Sequence, residues 1–193
     1  FTVWAYDKNS TVMERLACAS YKIPEPGMSE ILEKSVLDRK LRISPDPAGM
    51  NQADIVIVAV GTPLRDGIPD LESLQDACKT LGEHLSEGQL VILKSTVPPG
   101  TTAHMIRPTL ERSSGLVAGT DFGLVCSPER LAEGNVLKDL ETIPVIIGGV
   151  DARSSKLAAT FWNSLFGVAT VMVSSPTVAE LAKMADNVWI DLN

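Results

Sequence analysis

Two patterns of apolar and polar positions alternate along the chain. Amphipathic segments with apolar residues three and four positions apart predict helices over residues 10–19, 29–39, 102–112, 152–165 and 177–192. Between these segments, short apolar runs predict strands at residues 2–6, 41–44, 53–60, 89–94, 121–126, 144–148 and 169–174. Strands that alternate with helices are typical of a parallel sheet covered by helices on both faces.

The segment DLESLQDACKTLGEHL shows the helical pattern most clearly. Its apolar residues recur at spacings of three and four and predict one buried face, formed by Leu71, Leu74, Cys78, Leu81 and Leu85. Cys78 is therefore expected to be a small core residue. Asp70 precedes the helix and is a suitable N-cap.

The segment SSPTVAELAKMADNVW predicts another amphipathic helix near the end of the chain. We expect its buried stripe to consist of Val178, Leu181, Met184, Ala185 and Val188. Lys183 and Asn187 are four residues apart, so both project from one face beside that stripe. An ammonium and a carboxamide placed together can stabilise an oxygen that gains negative charge. The alternative is a solvated helix face on which Lys183 pairs with Glu180.

Together these elements predict an α/β fold, a Rossmann-like doubly wound parallel sheet over residues 1–175. Residues 176–193 would begin a long connecting helix. The chain starts within a strand pattern, FTVWAYD, and stops within a helical one, DNVWIDLN. Both ends therefore suggest truncation, and a first strand with a Gly-rich loop would precede Phe1.

Composition and net charge disfavour several kinds of ligand and cellular location. The net charge of −7 disfavours nucleic acid, because binding phosphate backbones requires a basic surface. No apolar run has the length of a bilayer span, and the first residues do not have the pattern of a signal peptide. The three cysteines, Cys18, Cys78 and Cys126, form neither a CxxC motif nor an even set, which disfavours zinc and disulfides. A reducing cytoplasm is the expected compartment.

Polar side chains follow four of the predicted strands. Asp7, Thr62, Thr96 and Glu129 each come at or just after the end of an apolar run. In doubly wound sheets, ligands bind beyond the carboxyl ends of the strands. We therefore expect these four side chains to converge on one binding site, although loop polarity alone could explain any one of them.

Asp7 indicates a particular ligand. An acidic residue that ends the second strand of a Rossmann unit accepts hydrogen bonds from the adenosine ribose and repels a 2′-phosphate. Asp7 therefore favours NAD over NADP. The companion motif G-x-G-x-x-G does not occur in this sequence.

The segment STVPPGTT predicts a stiff turn after a buried strand. Pro98 and Pro99 restrict the backbone, Gly100 permits a tight turn, and Thr101 or Thr102 can cap the next helix. This frame would direct the Thr96 hydroxyl into the crevice. Alternatively, Thr96 bonds its own turn.

The segment SPERLAEGN is too polar to be core. Its first carboxylate, Glu129, stands at a strand end, where it can accept a proton or orient a water molecule. The alternative is a surface ion pair between Glu129 and Arg130.

Taken in order, VGTPLRDGIPDLESL, KSTVPPGTT, SPERLAEGN, VIIGG and TVAELAKMADN resemble motifs of the nucleotide-sugar dehydrogenases, the family of the UDP-glucose and UDP-N-acetylmannosamine 6-dehydrogenases. The segment IPEPGM is similar to another motif of that family. The resemblance implies a two-step, NAD-dependent oxidation of a sugar C6 alcohol to a carboxylate. It also implies a nucleotide-diphospho-sugar substrate and a homodimer formed through the helix that starts near Thr177.

The resemblance also implies roles for individual residues. Asp7, Thr62 and Thr96 would contact NAD; Thr96 would also hold the catalytic water, and Glu129 would act with it as base. Lys183 and Asn187 would contact the substrate and stabilise the C6 oxyanion. The loop that borders the sugar would comprise Arg130, Leu131, Ala132 and Glu133.

Two features depart from the family pattern. Val12 stands where the family often has a lysine, a role that Lys8 could fill. No cysteine here has the context of the family nucleophile, which would lie beyond Asn193, so we expect the chain alone not to complete turnover.

The rival interpretations are a 6-phosphogluconate or 3-hydroxyacid type of dehydrogenase and a non-catalytic nucleotide-binding module.

Overall fold

A computed structural model describes residues 1–192 and confirms the alternation of strands and helices. Five strands form the main sheet in the order β3-β6-β7-β8-β9. Their bounds are Ile55–Val58 for β3, Leu90–Leu93 for β6, Gly123–Cys126 for β7, Val145–Gly149 for β8 and Thr170–Val173 for β9. A separate parallel pair consists of β1, Val3–Ala5, and β2, Leu41–Ile43.

The sheet is parallel from β3 through β7, as predicted, but β8 pairs antiparallel with β7, and β9 pairs parallel with β8. The connection to β8 makes no crossover along the sheet, so the chain enters β8 beyond the carboxyl end of β7. Only Gly148 and Gly149 of β8 pair with β7, opposite Cys126 and Val125. Arg130 Nη1 donates to the carbonyl oxygen of Pro144 within this connection at 3.1 Å.

Seven α-helices lie within residues 1–192, and six of them match predicted segments. They are α1 Ser10–Ala17, α2 Met28–Leu37, α3 Glu72–His84, α4 Arg107–Ser114, α5 Val136–Thr142, α6 Ala152–Phe166 and α7 Pro176–Leu192. The sequence pattern missed α5, a 3-10 helix at Pro47–Gln52 and a short hairpin of β4, Leu64–Arg65, with β5, Ile68–Pro69. Each of these elements is too short to show a clear period.

Both faces of the main sheet are covered. Val91 and Leu93 of β6 pack on one side in a cluster with buried residues of α3, including Cys78. Ile92 packs on the other side with Trp162 of α6. This double coverage explains the continuous apolar run of β6. Cys78 has no exposed surface, which confirms it as a core residue.

The stripe predicted for α7 is wrong. Most of its members face away from the sheet, and Leu181 and Val188 are 56% and 54% exposed. The buried residues of α7 are instead Pro176, Ala179 and Glu180. A β-carbon added to Gly148 of β8 would overlap the Ser175 carbonyl and approach Pro176. The start of α7 therefore approaches β8 too closely for large side chains to lie between them.

Two capping predictions also need correction. The N-cap of α3 is Leu71, while Asp70 accepts a hydrogen bond from the Glu72 N–H at 3.0 Å and pairs with Arg65. Thr101 stands at the N-cap of the helical segment that begins with a π-helical turn, Thr102–Ile106, but its side chain makes no capping hydrogen bond. The Thr101 hydroxyl donates to the Pro98 carbonyl at 2.6 Å, and that of Thr102 bonds to Glu180.

None of the helices within residues 1–192 combines the length and the apolar character that crossing a bilayer requires.

Candidate functional site

Three of the four predicted strand-end residues lie on neighbouring parallel strands. Thr62, Thr96 and Glu129 follow β3, β6 and β7, which are adjacent in the sheet. The Thr62 hydroxyl donates to the carbonyl oxygen of Thr96 at 2.6 Å. The Glu129 N–H donates to the carbonyl oxygen of Lys94, close to Thr96 in the chain, at 3.3 Å. The three loops are therefore joined at one edge of the sheet.

The Glu129 carboxylate is held by three groups. One oxygen, Oε1, accepts hydrogen bonds from the N–H groups of Arg130 and Leu131 at 2.7 and 2.8 Å. The other, Oε2, lies 3.2 Å from Lys94 Nζ. Burial alone would raise the pKa of Glu129, but the Lys94 ammonium and the two N–H groups outweigh burial and hold it below its ordinary value. Glu129 is therefore ionised at neutral pH.

Lys94 is a site residue that the sequence analysis missed. Its side chain is only 15% exposed, and its ammonium stands 5.0 Å from the centre of the Trp162 ring. A lysine at the end of a fully buried strand must place its charge beside a partner, which is a signal that the sequence contained. The ion pair with Glu129 and the ring contact together satisfy this requirement.

The guanidinium of Arg130 turns away from Glu129. Its Nε lies 2.6 Å from Asp186 Oδ2 on α7, so the alternative of a Glu129–Arg130 surface pair is wrong. The rest of the predicted sugar-bordering loop is fixed through its backbone. Ala132 N–H donates to Asp139 at 2.9 Å, and the side chains of Ala132 and Glu133 are exposed. Leu131 is half-buried and lines a small hollow next to Glu129.

Lys183 and Asn187 are both half-buried on α7. The alternative in which Lys183 pairs with Glu180 on a solvated face is wrong, because Glu180 is 1% exposed and accepts hydrogen bonds from residues 100 and 102. Within residues 1–192, no hydrogen bond or ion pair joins Lys183 or Asn187 to Thr96 or Glu129. The helix instead reaches the two loops through Glu180 and Asp186.

Asp7 lies at the carboxyl end of β1 with an exposed side chain. One of its carboxylate oxygens accepts a hydrogen bond from the Asn9 N–H at 2.8 Å. The next residue, Lys8, donates to the Ser73 hydroxyl on α3 at 3.1 Å, which fixes the end of β1 to α3. Val12 is half-buried on α1. Asp7 is thus open to a ligand, but it belongs to the separate β1–β2 pair.

The residues that follow β1 and β3 fit NAD. The exposed Asp7 carboxylate can accept hydrogen bonds from ribose hydroxyls, as the acidic residue of a dinucleotide fold does. Gly61, next to Thr62, is exposed, and a β-carbon added there would meet no atom within 4 Å. The backbone after β3 therefore leaves room for a ligand at the carboxyl ends of the strands.

Cys126 is the last residue of β7 and lies close to the site, but its thiol is unreactive. Burial raises the pKa of its thiol to about 12, and the nearby Glu180 carboxylate adds to the rise. A thiol of this kind is not a thiolate nucleophile at neutral pH. Burial likewise raises the pKa of the Cys78 thiol to about 12.

Comparisons with known proteins agree with this geometry. Residues 1–166 match the model of the UDP-glucose/GDP-mannose dehydrogenase family, NAD binding domain. A UDP-N-acetyl-D-mannosamine dehydrogenase of Pyrococcus horikoshii is 34% identical over 100% of this chain and 46% of its own length. A GDP-mannose 6-dehydrogenase of Pseudomonas savastanoi is 33% identical over 95% of this chain and 43% of its own length.

Solved structures show the same relation. The UDP-D-ManNAc dehydrogenase of P. horikoshii superposes with a TM-score of 0.93 at 32% identity, over 99% of this chain and 45% of that one. A GDP-mannose dehydrogenase from Pseudomonas aeruginosa, solved as a ternary complex, superposes with a TM-score of 0.91 at 28% identity. The match covers 98% of this chain and 44% of that one. The chain spans less than half the length of these relatives. The extent of the family match, together with the strand-end site, shows that the chain belongs to the UDP-glucose/GDP-mannose dehydrogenase family and carries its NAD-binding domain.

Proposed function

We propose that this chain is the cofactor-binding half of an enzyme that oxidises the C6 alcohol of a nucleotide-diphospho-sugar to a carboxylate with reduction of two NAD. The observation that carries the proposal is the ionised Glu129, which pairs with Lys94 and lies in the loop next to the one that holds Thr96. Family membership supports the same reaction, and the relatives named above act on UDP-N-acetyl-D-mannosamine and GDP-mannose.

In this proposal NAD, when bound, accepts the hydride removed from C6. Asp7 accepts hydrogen bonds from the ribose of the cofactor, and Thr62 and Thr96 contact it at the ends of β3 and β6. The Asp7 charge would oppose a 2′-phosphate, so NAD is chosen over NADP.

The remaining residues act on the sugar and on water. Lys183 and Asn187 stabilise the C6 oxygen as it gains negative charge, an interaction that is stronger in the transition state than with the neutral alcohol. Thr96 orients a water molecule, and Glu129 accepts its proton. Arg130, Leu131, Ala132 and Glu133 border the sugar, with the Arg130 guanidinium anchored on Asp186.

The proposal extends to the division of the chain and to its surroundings. Residues 1–175 form the NAD-binding domain, and the inter-domain helix begins at residue 176; Asn193, the last residue of the predicted span 176–193, lies outside the described residues. The exposed apolar face of α7 supports a homodimer built on this helix. The scattered cysteines, two of them buried and unpaired, suit the reducing cytoplasm, where NAD is available.

The test is NADH formation by the full-length protein that contains this chain, on UDP-N-acetylmannosamine, GDP-mannose and UDP-glucose. We expect two NADH per sugar with at least one of them. We also expect NAD to be used at least about tenfold better than NADP, which corresponds to about 1.4 kcal/mol. Absence of NADH with every sugar would refute the proposed oxidation, and equal use of the two cofactors would refute the role of Asp7.

A further inference from the structure

Glu180 is a buried acidic residue that the proposed chemistry does not use. It lies on α7 with only 1% of its surface exposed, and its carboxylate contacts residues that are 80 and 78 positions away in the chain. One oxygen accepts the Gly100 N–H at 2.5 Å. The other accepts the Thr102 N–H at 2.7 Å and the Thr102 hydroxyl at 2.5 Å. We refer to these bonds as the Glu180 clamp.

The three donors of the clamp require a carboxylate, and no other side chain as large as glutamate could accept all of their hydrogen bonds. A buried carboxylate is tolerated only when its oxygens receive hydrogen bonds, and here all three partners are donors. The Gly100 N–H belongs to the turn just before the helical segment that continues into α4, and the Thr102 N–H belongs to its first residue, where an anion is also favoured by the helix dipole. A glutamine would turn an N–H₂ group toward at least one of these donors.

The clamp joins two parts of the proposed site. Gly100 and Thr102 end the stiff turn that begins at Thr96. On α7, Lys183 and Asn187 lie three and seven residues beyond Glu180, so all three side chains share one face of the helix. Fixing Glu180 against residues 100–102 therefore fixes the height and rotation of that face relative to the Thr96 turn.

A second contact secures the same helix from the other loop. Asp186 of α7 pairs with Arg130 at 2.6 Å, and Arg130 directly follows Glu129. Lys183 lies between these two attachment points, with Glu180 three residues before it and Asp186 three residues after it. The clamp is the buried attachment of the two, since Asp186 and Arg130 remain partly exposed.

We propose that Glu180 is a positioning residue, which holds the Lys183 and Asn187 face of α7 in register with the Thr96 turn through Gly100 and Thr102. The proposal rests on the proposed oxidation for its consequence in catalysis. Reacting groups displaced by about 1 Å can lose on the order of a hundredfold in rate, so loosening the clamp acts mainly on turnover.

The test uses Glu180→Gln in the full-length protein. We expect kcat to fall at least about thirtyfold while KM for the sugar and for NAD stays within about threefold, because the lost contact holds groups that act in the transition state. A milder pair of variants addresses the same bonds without removing the carboxylate. Thr102→Val removes one donor and should lower kcat by about three- to tenfold, whereas Thr102→Ser keeps the hydroxyl and should retain wild-type turnover.

A second readout does not depend on activity. In Glu180→Gln, amide hydrogen exchange over residues 96–106 should quicken at least about tenfold, while exchange over α3 stays unchanged. Asp191→Asn serves as the matched control, because it removes a negative charge from the exposed end of the same helix and should alter neither readout.

The outcomes separate the two proposals. A wild-type protein that oxidises no nucleotide sugar refutes the proposed function, and the exchange measurement still decides whether the clamp exists. An active wild type with a folded Glu180→Gln variant that keeps kcat within threefold refutes the positioning role. Loss of turnover in Thr102→Ser as large as in Thr102→Val would also contradict it, since the serine hydroxyl preserves the bond.

Discussion

At the residue scale, the Glu129–Lys94 pair determines the charge state of the site. The sequence identified Glu129 because it follows a buried strand, but the partner that it suggested, Arg130, pairs with Asp186 instead. The partner depends on which strands are neighbours, and Lys94 of the β6 end meets Glu129 only because β6 and β7 pair in parallel register. Partner choice is thus a property of the tertiary fold, whereas the presence of a polar strand end is a property of the local sequence.

Replacing Lys94 with methionine tests this pairing. The variant removes the ammonium that lowers the pKa of Glu129, so burial is less opposed and the pKa rises. We therefore expect the acid limb of the pH–rate profile of the full-length enzyme to move to higher pH. The exposed Lys138, changed to methionine, is the matched control and should leave the profile unchanged.

The same variant should also change the pH dependence of stability in a definite direction. A carboxyl whose folded pKa lies below its unfolded value stabilises the protein above the unfolded pKa, and this contribution is lost as pH falls through the folded pKa. In Lys94→Met the free energy of unfolding should therefore fall less steeply than in the wild type as pH drops below the ordinary glutamate pKa of 4.5.

The pH–rate profile provides the contradicting outcome. If its acid limb does not move in Lys94→Met, Lys94 does not set the charge of Glu129.

At the element scale, the sequence predicted where α7 lies but not which face it buries. Its larger apolar residues have helical spacing, and such spacing normally marks a core face. The close approach to β8 depends instead on Gly148 of the strand, where a β-carbon would overlap Ser175 and approach Pro176 at the start of the helix. A pattern of large apolar residues therefore could not reveal the contact, although Gly148 of the VIIGG motif was a sign of it in the sequence.

Gly148→Ala tests that contact. An added β-carbon would overlap the Ser175 carbonyl and would come within about 3 Å of Pro176, and both belong to backbone that cannot rotate away. We expect the free energy of unfolding to fall by about 1–3 kcal/mol, the usual cost of overpacking. Gly61→Ala is the control, since nothing lies within 4 Å of its added carbon, and it should change stability by less than about 0.5 kcal/mol. Chemical denaturation of both variants without NAD measures the difference, and equal stabilities would contradict a tight β8–α7 contact.

At the scale of the whole molecule, the alternation of strands and helices was enough to predict the fold class, because each element could be recognised by its own period. The order and direction of strands were harder to predict. The sequence of β8 has the pattern of any buried strand, and its antiparallel pairing depends on a connection that makes no crossover along the sheet. The convergence of Thr62, Thr96 and Glu129 was predictable because it needs only three neighbouring parallel strands.

The exposed face of α7 leads to a prediction about assembly. Leu181 and Val188 are 56% and 54% exposed, and with Val178 and Met184 they form a continuous apolar stripe on one side of the helix. Exposed apolar stripes of this kind are typical of interfaces, and a homodimer through α7 would bury this one. Leu181→Glu places a charge in the stripe and should raise the dimer dissociation constant of the full-length protein at least about tenfold, which corresponds to about 1.4 kcal/mol.

Leu157→Glu is the matched control for this prediction. Leu157 is also an exposed apolar residue, but it lies on α6, so its replacement adds the same charge without touching the stripe. Sedimentation of the wild type and both variants over a range of protein concentrations distinguishes the cases. A dimer that weakens equally in both variants would reflect charge alone, and a dimer unaffected by Leu181→Glu would place the interface elsewhere. The specific loss in Leu181→Glu follows only if the stripe that α7 turns away from its own sheet is buried against a second copy of the chain.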